Sequence, residues 1–395
     1  MDRQRIESLR SFYKDNLFSK CLDHWLEKSI DNEYGGYITC LDRNWEVFNT
    51  DKSVWFQGRG AWMFSKIYNT LDKDVKWLEA AEKGYDFLLK HCFDTDGRMF
   101  FQVTRDGKPL RKRRYVFSEA FAAIAFAEYY MATGKAEALE HAKRCYKIML
   151  DVYRGDMATE PKVIPETREM KGLSFPMILL NVTQIMREAE KDPLYDEVAD
   201  QVVNDIFNDF YKSEEKALFE CVGVNGERLD SPQGRCINPG HSIEAAWFLI
   251  HEGMYRDDKQ IIDKALIILE QSIEIGWDKE HGGGILYFVD IEGKPAEQYE
   301  WDMKLWWPHT EALYAFLLAY HLTGEEKYEK WYDKIHEWSF SHFEDTENGE
   351  WFGYLHRDGS VSNTLKGSMW KGMFHLPRAL LLNYCLLDKM LEKTV

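Results

Sequence analysis

The stretch FAAIAFAEYYMATG, residues 121–134, is apolar nearly all round when wound at the helical period of 3.6 residues. A helix of that kind has to be covered by protein on every side. The segment ILLNVTQIMREAEK (178–191) shows the other helical pattern, apolar at i, i+3, i+4 and i+7. About twelve such stretches follow one another, starting near residues 3, 52, 74, 118, 136, 172, 194, 240, 259, 307, 325 and 370. They come in pairs joined by short connectors such as ATGKAEAL (132–139) and LTGEEKYEK (322–330), in which the glycine reads as a C-cap.

Between the pairs lie segments of a different texture: DNEYGGYITCLDRNWEV (31–47), DTDGRMFFQVTRDGKPL (94–110), ALFECVGVNGERLD (217–230), EHGGGILYFVDIEGKPA (280–296) and ENGEWFGYLHRDGSV (347–361). An acidic or glycine-rich lead, a short aromatic or β-branched run and an Asx-Gly turn predict small β-hairpins. Helical hairpins repeated about six times predict an all-α protein, an (α/α)6 barrel with apolar inner helices, amphipathic outer ones and β-hairpins in the loops at one end. No linker or low-complexity tract divides residues 1–395, so a single catalytic domain is expected.

Composition narrows the function. A net charge of −17 argues against a nucleic-acid partner. No apolar run is long enough to span a bilayer and the N-terminal residues lack a signal-peptide pattern, so the expected location is the cytoplasm, with no membrane partner. Seven scattered cysteines without a C-x-x-C pair predict reduced thiols rather than disulfides or a zinc site. The 14 Trp, 21 Tyr and 23 Phe supply core and also flat faces for sugar rings. The basic run Lys108 to Arg114 reads as a solvated loop or an anion-binding loop near a site mouth.

Four segments set ionisable residues among apolar inner-helix candidates. In WFQGRGAWMFSKIY (55–68), Arg59 stands beside Trp55 and requires an anionic partner, either a structural carboxylate or a substrate. In NPGHSIEAAWFLIHEG (238–253), Pro239-Gly240 starts a helix with His241 in its first turn and Glu244 one turn on, placed to hold the imidazole; a capping pair is the plainer reading. EWDMKLWWPHTEALYAF (300–316) carries Lys304, Trp306, Trp307, His309 and Glu311, and GSMWKGMFHLPRALL (367–381) carries Trp370 and His375 near a helix start at Pro377. Each signal alone has a structural reading. Together they sit at the starts of inner helices, where one barrel end would collect them. Phosphate-loop, H-E-x-x-H, EF-hand and dinucleotide motifs are absent from the sequence, and the HGGG at 281–284 lacks a G-x-S-x-G partner and reads as a turn.

The set QGRGAWMFS (57–65), NPGHSIEAAWFL (238–249), KLWWPHTEAL (304–313) and WKGMFHLPRAL (370–380) resembles the N-acylglucosamine 2-epimerase family, also called renin-binding proteins, over nearly the whole chain. The resemblance implies an (α/α)6 barrel and interconversion of N-acetyl-D-glucosamine with N-acetyl-D-mannosamine by deprotonation and reprotonation at C2 of the open-chain sugar. It implies His241 and His375 as the acid/base pair, Arg59 at the C1 oxygen, and Glu244 and Glu311 as acidic neighbours. Trp55, Glu119, Lys304, Trp306, Trp307, His309 and Trp370 complete the expected substrate surround. It implies further that no cofactor is required, that ATP or another nucleotide acts as an allosteric activator, and that the protein is a homodimer. Relatives in that family act on mannose, glucose or cellobiose, or are aldose–ketose isomerases; the WWPHTE and FHLPR segments favour the N-acyl sugar. Two rivals come from other classes. A glycoside hydrolase would use two of Glu119, Glu244 and Glu311, and a non-catalytic sugar- or renin-binding protein would need no such set of His241, His375 and Arg59.

Overall fold

The computed structural model describes all residues except 113, 114, 160–163, 165, 168, 394 and 395. Twelve helices of 13 residues or more account for most of the described chain. The inner ones are α2 (Val54–Thr70), α4 (Phe117–Thr133), α6 (Ser174–Ala189), α8 (Pro239–Arg256), α10 (Trp306–Thr323) and α12 (His375–Lys393). The outer ones are α1 (Arg3–Leu17), α3 (Val75–His91), α5 (Ala136–Tyr153), α7 (Pro193–Asp205), α9 (Lys259–Gly276) and α11 (Glu326–Phe343). Each predicted start falls within five residues of an observed one.

Consecutive inner helices touch one another, and α12 touches α2, which closes the ring; each outer helix packs on its neighbour, with α1 covering α12. The fold is an (α/α)6 barrel. The apolar-all-round pattern explains the inner ring: α4 is buried without interruption from Ser118 to Tyr129 and α10 from Trp306 to Ala319. Gly134 and Gly324 end these two helices in the left-handed region at φ +71° and +69°, which lets the chain turn straight into the outer partner. One inner helix breaks the expected pattern. The amphipathic segment 178–191 belongs to α6, on the inner ring, and its polar Gln184 and Arg187 reach Glu252 of α8 with contacts of 3.2 and 2.8 Å.

The loops before the inner helices gather at the end where those helices begin. Their strands are shorter and less local than hairpins alone. Some close on themselves, as Gln102–Val103 with Pro109–Arg111 and Tyr354–Leu355 with Val361–Asn363. Others pair across loops: Lys52–Ser53 with Gln102–Val103, Lys171–Gly172 with Cys221–Val222, Cys236–Ile237 with Val289–Asp290, and Lys304–Leu305 with Tyr354–Leu355. The two-residue strand that leads into an inner helix is thereby stitched to the next loop around the ring.

A buried ionic clasp repeats at three of these seams. Lys52 donates to Asp31 at 2.9 Å, and Arg105 of the next loop grips the same carboxylate at 2.9 and 3.0 Å. Lys366, Asp345 and Arg43 repeat the arrangement at 2.7, 2.9 and 3.0 Å. Lys304, Asp278 and Arg357 form the third, at 3.3, 3.0 and 3.3 Å. All three lysine side chains are inaccessible to solvent. A buried ammonium is tolerated only with a carboxylate and further acceptors, and each lysine also donates to a backbone carbonyl.

Burial raises the pKa of Asp31 and Asp278, but Arg105 with Lys52, and Arg357 with Lys304, outweigh it and hold both carboxyls down at about 2. A carboxyl depressed in the folded state stabilises the fold above its unfolded value of about 3.9. That contribution is lost as pH falls from there toward 2. Asp278→Ala, which strands the Lys304 ammonium, should lower the unfolding free energy by about 3–5 kcal/mol. The double variant Asp278→Ala/Lys304→Met should recover most of that loss. Urea titrations at pH 7 check both values, and the acid dependence should flatten in the double variant.

Candidate active site

The start of every inner helix opens onto one cavity of about 720 Å³, a size that takes a small sugar. Trp55 and Arg59 come from α2, Phe117 and Phe121 from α4, and Ser174, Met177 and Ile178 from α6. His241 and Glu244 come from α8, Trp306 and Trp307 from α10, and His375 from α12. The loops add Tyr287, Glu300, Met303, Tyr354, Trp370 and Phe374. Six helix N-termini pointing at one space set their positive dipole ends around it, which favours an anion at its centre.

Both histidines are held by carboxylates through Nδ1. His241 meets Glu220 at 2.9 Å and His375 meets Glu311 at 2.7 Å. An ionised carboxylate only accepts, so Nδ1 carries the hydrogen in each ring and Nε2 is left to take or give a proton in the cavity. The rings flank the same indole: Trp307 lies with its centroid 5.2 Å from His241 and 5.7 Å from His375.

Their electrostatic surroundings differ. Burial lowers the basicity of His241, but the Glu220 carboxylate, helped by Glu244, raises it above the ordinary value. Burial and then Arg59 and Arg378 press His375 well below it. Arg378, buried in the first turn of α12, donates to Glu244 at 2.6 Å and to Glu311 at 2.7 Å. Trp247 fills the other oxygen of Glu311 at 2.9 Å. Glu244, Glu311 and His375 stand close enough together to hold a cation, and the Arg378 guanidinium already occupies that role for both carboxylates.

Arg59 has no carboxylate partner among the described residues, and its Nε is buried without an acceptor. Aromatic faces surround it: Phe121 at 4.0 Å, Phe374 at 4.8 Å, Phe56 at 5.2 Å and Trp55 at 5.7 Å. Burial and Arg378 pull its pKa down to about 9, which still leaves it cationic at neutral pH. Cation–π contact offsets part of the desolvation, about 2 kcal/mol for a desolvated pair. What remains is a fixed positive charge facing a cavity.

The structure sorts the expected residues. His241, His375, Arg59, Glu244, Trp55, Trp306, Trp307 and Trp370 line the cavity, and Glu311 supports His375 from beneath. Three expected substrate neighbours do not reach it. Glu119 is fully buried, accepting from Arg98 at 2.6 Å and from the Met99 amide at 3.0 Å. Lys304 belongs to the third clasp. His309 accepts the Ile285 amide on Nε2 at 2.8 Å and donates from Nδ1 to the Leu305 carbonyl at 2.7 Å, and burial takes it down to about 3. It is a neutral structural histidine.

Two pairings also differ from expectation. Glu244 binds Arg378 rather than His241, because the first turn of α8 points His241 back at the loop carrying Glu220. Arg59 is not the member of a structural salt bridge. The glycines at 282–284 form a turn with φ +75°, +98° and +83°, closed by the Gly283 amide on the Asp278 carbonyl. In the basic run, Lys108 pairs with Asp106 and Lys112 with Asp94, while Arg113 and Arg114 lie outside the described residues. With Glu119 tied to Arg98, and Glu244 and Glu311 both tied to Arg378, no two of these carboxylates face each other across open space as glycoside hydrolysis requires.

Glu220 and Arg378 are not among the site residues expected from the sequence. Glu220 is a lone carboxylate in the apolar run ALFECV (217–222), and Arg378 a cation at the positive end of an apolar helix; both placements are unfavourable without a partner.

Comparison with known proteins agrees over the full length. The profile of the family described as N-acylglucosamine 2-epimerase (GlcNAc 2-epimerase) matches residues 36–379. The N-acylglucosamine 2-epimerase of Bos taurus is 36% identical, the match covering 98% of this chain and 94% of the bovine one. The cellobiose 2-epimerase of Dictyoglomus turgidum is 26% identical over 94% of this chain and 96% of its own. The solved cellobiose 2-epimerase of Spirochaeta thermophila superimposes with a TM-score of 0.85 at 24% identity, over 98% of this chain and 99% of that one.

Replacing Arg59 by Met removes a cation that the fold does not need. Unfolding free energy should stay level or rise, while turnover falls about 100- to 1,000-fold, the scale of losing one oxyanion donor. Urea denaturation beside a turnover assay checks the pair; a large loss of stability would overturn the reading of Arg59 as an uncompensated charge.

Proposed function

Since the chain belongs to the N-acylglucosamine 2-epimerase family, and is an isomerase of the epimerase class acting on carbohydrate, we propose that it interconverts N-acetyl-D-glucosamine and N-acetyl-D-mannosamine. The observation that carries this reading is the pair of carboxylate-held histidines whose Nε2 atoms share one cavity with an unpaired guanidinium.

The geometry supports the following course. Once the pyranose has opened, the C1 carbonyl oxygen lies by Arg59. One imidazole takes the C2 proton, and the electrons of that C–H bond become the C1–C2 double bond of an enolate, with the charge on the C1 oxygen. Arg59 and the six helix N-termini stabilise that oxygen. The other imidazole returns a proton to C2 from the opposite face, inverting the centre. Trp306, Trp307, Trp55 and Trp370 offer flat faces to the sugar carbons. Glu244 and Glu311 act through Arg378 and His375 rather than on the sugar.

Proton transfer next to a carbonyl draws on no cofactor, so a nucleotide would serve as an activator only. We take residues 1–395 as one catalytic domain, supported by the contact of α12 with α2 that closes the ring and by the packing of α1 on α12. A homodimer in the cytoplasm is the working state implied by the family resemblance. Among the described residues no helix is long and apolar enough to cross a membrane.

Incubation with N-acetylglucosamine in heavy water, with and without ATP, should give N-acetylmannosamine carrying deuterium at C2, read by NMR. Product without deuterium would exclude exchange at C2, and a ketose product would make the protein an isomerase of another kind. Mannose, glucose and cellobiose run in parallel fix the substrate. His241→Ala and His375→Ala should each lower epimerisation by about 100- to 10,000-fold.

A further inference from the structure

We propose that Glu220 is a positioning residue that makes His241 the proton-holding member of the pair, so that the resting site couples a protonated His241 with an unprotonated His375. This deepens the two-histidine reading above and rests on it.

Glu220 is fixed at its backbone from both sides. Its amide donates to the Cys236 carbonyl at 3.1 Å, in the strand that runs directly into α8, and its carbonyl accepts from the Leu173 amide at 2.9 Å, at the start of α6. The carboxylate is therefore delivered to His241 by the segment that also sets where α8 begins. Asn238 caps that helix by accepting the His241 amide at 3.1 Å, which fixes the other end of the residue. The Nδ1 contact of 2.9 Å then leaves His241 one free ring atom, Nε2, aimed at the cavity.

The two histidines are not equivalent, although both have a carboxylate. Glu311 is shared among His375, Arg378 and the Trp247 indole, so its charge is already compensated. Glu220 makes no ion pair with a lysine or arginine among the described residues, and His241 is its charge partner. The groups facing His241 are Glu220, Glu244 on its own helix and Trp307; Tyr287 and Cys236 face Glu220; Arg59, Arg378 and Glu244 act on His375. With His241 protonated and His375 neutral, Glu220 is matched directly by His241, while Glu244 and Glu311 share Arg378. A proton on His375 instead would set a third positive charge near Arg59 and Arg378 and leave Glu220 without a cationic partner.

The proton on His241 Nε2 is then the one delivered to C2 of the enolate after His375 Nε2 has accepted the C2 proton from the other face. After that turnover the two protons have changed places, and the resting distribution is restored by exchange with solvent.

The test is Glu220→Gln, which keeps an acceptor for Nδ1–H and removes the charge. In protein with 13C-labelled histidine rings, the His241 titration midpoint should fall by about 1–3 pH units. The basic limb of the kcat profile should move to lower pH with it, kcat at pH 7.5 should drop about 10- to 100-fold, and KM should stay within about threefold. Glu220→Asp, which retains the charge, should keep the midpoint above that of Glu220→Gln. The midpoint is read without substrate, so it judges Glu220 whichever sugar is turned over. An unchanged His241 midpoint in folded Glu220→Gln overturns the proposal, as does a loss of activity with no movement of the basic limb.

Discussion

Arg378 is the group on which the cup of this barrel depends. Its guanidinium leaves α12, binds Glu244 of α8 and Glu311 of α10, and so ties three adjacent inner helices at their N-terminal turns. A cation in the first turn of a helix opposes the helix dipole, and two carboxylates in the same dry space repel each other. Each placement is tolerable only because of the other. Through Glu311 the same knot holds the His375 ring; burial, then Arg59 and Arg378, press the basicity of that ring down, and Arg59 is the cation left without a counter-ion.

The barrel was readable from periodicity because burial on all sides leaves no polar stripe. Residues 118–129 and 306–319 are buried on every side in the inner ring, and Gly134 and Gly324 end their helices in turns. Segment 178–191 misleads the same reasoning: α6 is inner yet amphipathic, since Glu252 on α8 gives Arg187 a buried partner that hydropathy does not record. Loop texture predicted strands but not their partners, because two residues of strand carry too little pattern to fix a register.

The site was legible to the extent that it lies at helix starts. His241, His375 and Arg59 sit within the first six residues of α8, α12 and α2, where any inner helix presents its side chains to the cup. Spacing gave the wrong partner for His241, since Glu244 at i+3 is a neighbour on the helix surface while Glu220 arrives from a loop 21 residues earlier. Lys304 and His309 looked functional for a good reason: each is polar among tryptophans. The repeat was the signal to weigh, for the turns Arg105-Asp106-Gly107 and Arg357-Asp358-Gly359 each supply an arginine to an equivalent lysine–aspartate pair.

Those clasps run in one direction. In each, aspartate and lysine belong to one loop and arginine to the next, from Asp278 through Asp345 to Asp31, across the point where the ring closes. The loops that shape the mouth are therefore links of a chain rather than independent inserts. Exchange of one loop with a relative would leave a buried lysine–aspartate pair without its arginine on one side and an arginine without its carboxylate on the other. Re-engineering of the mouth for a different sugar is better served by moving adjacent loops together, with the seam between them intact.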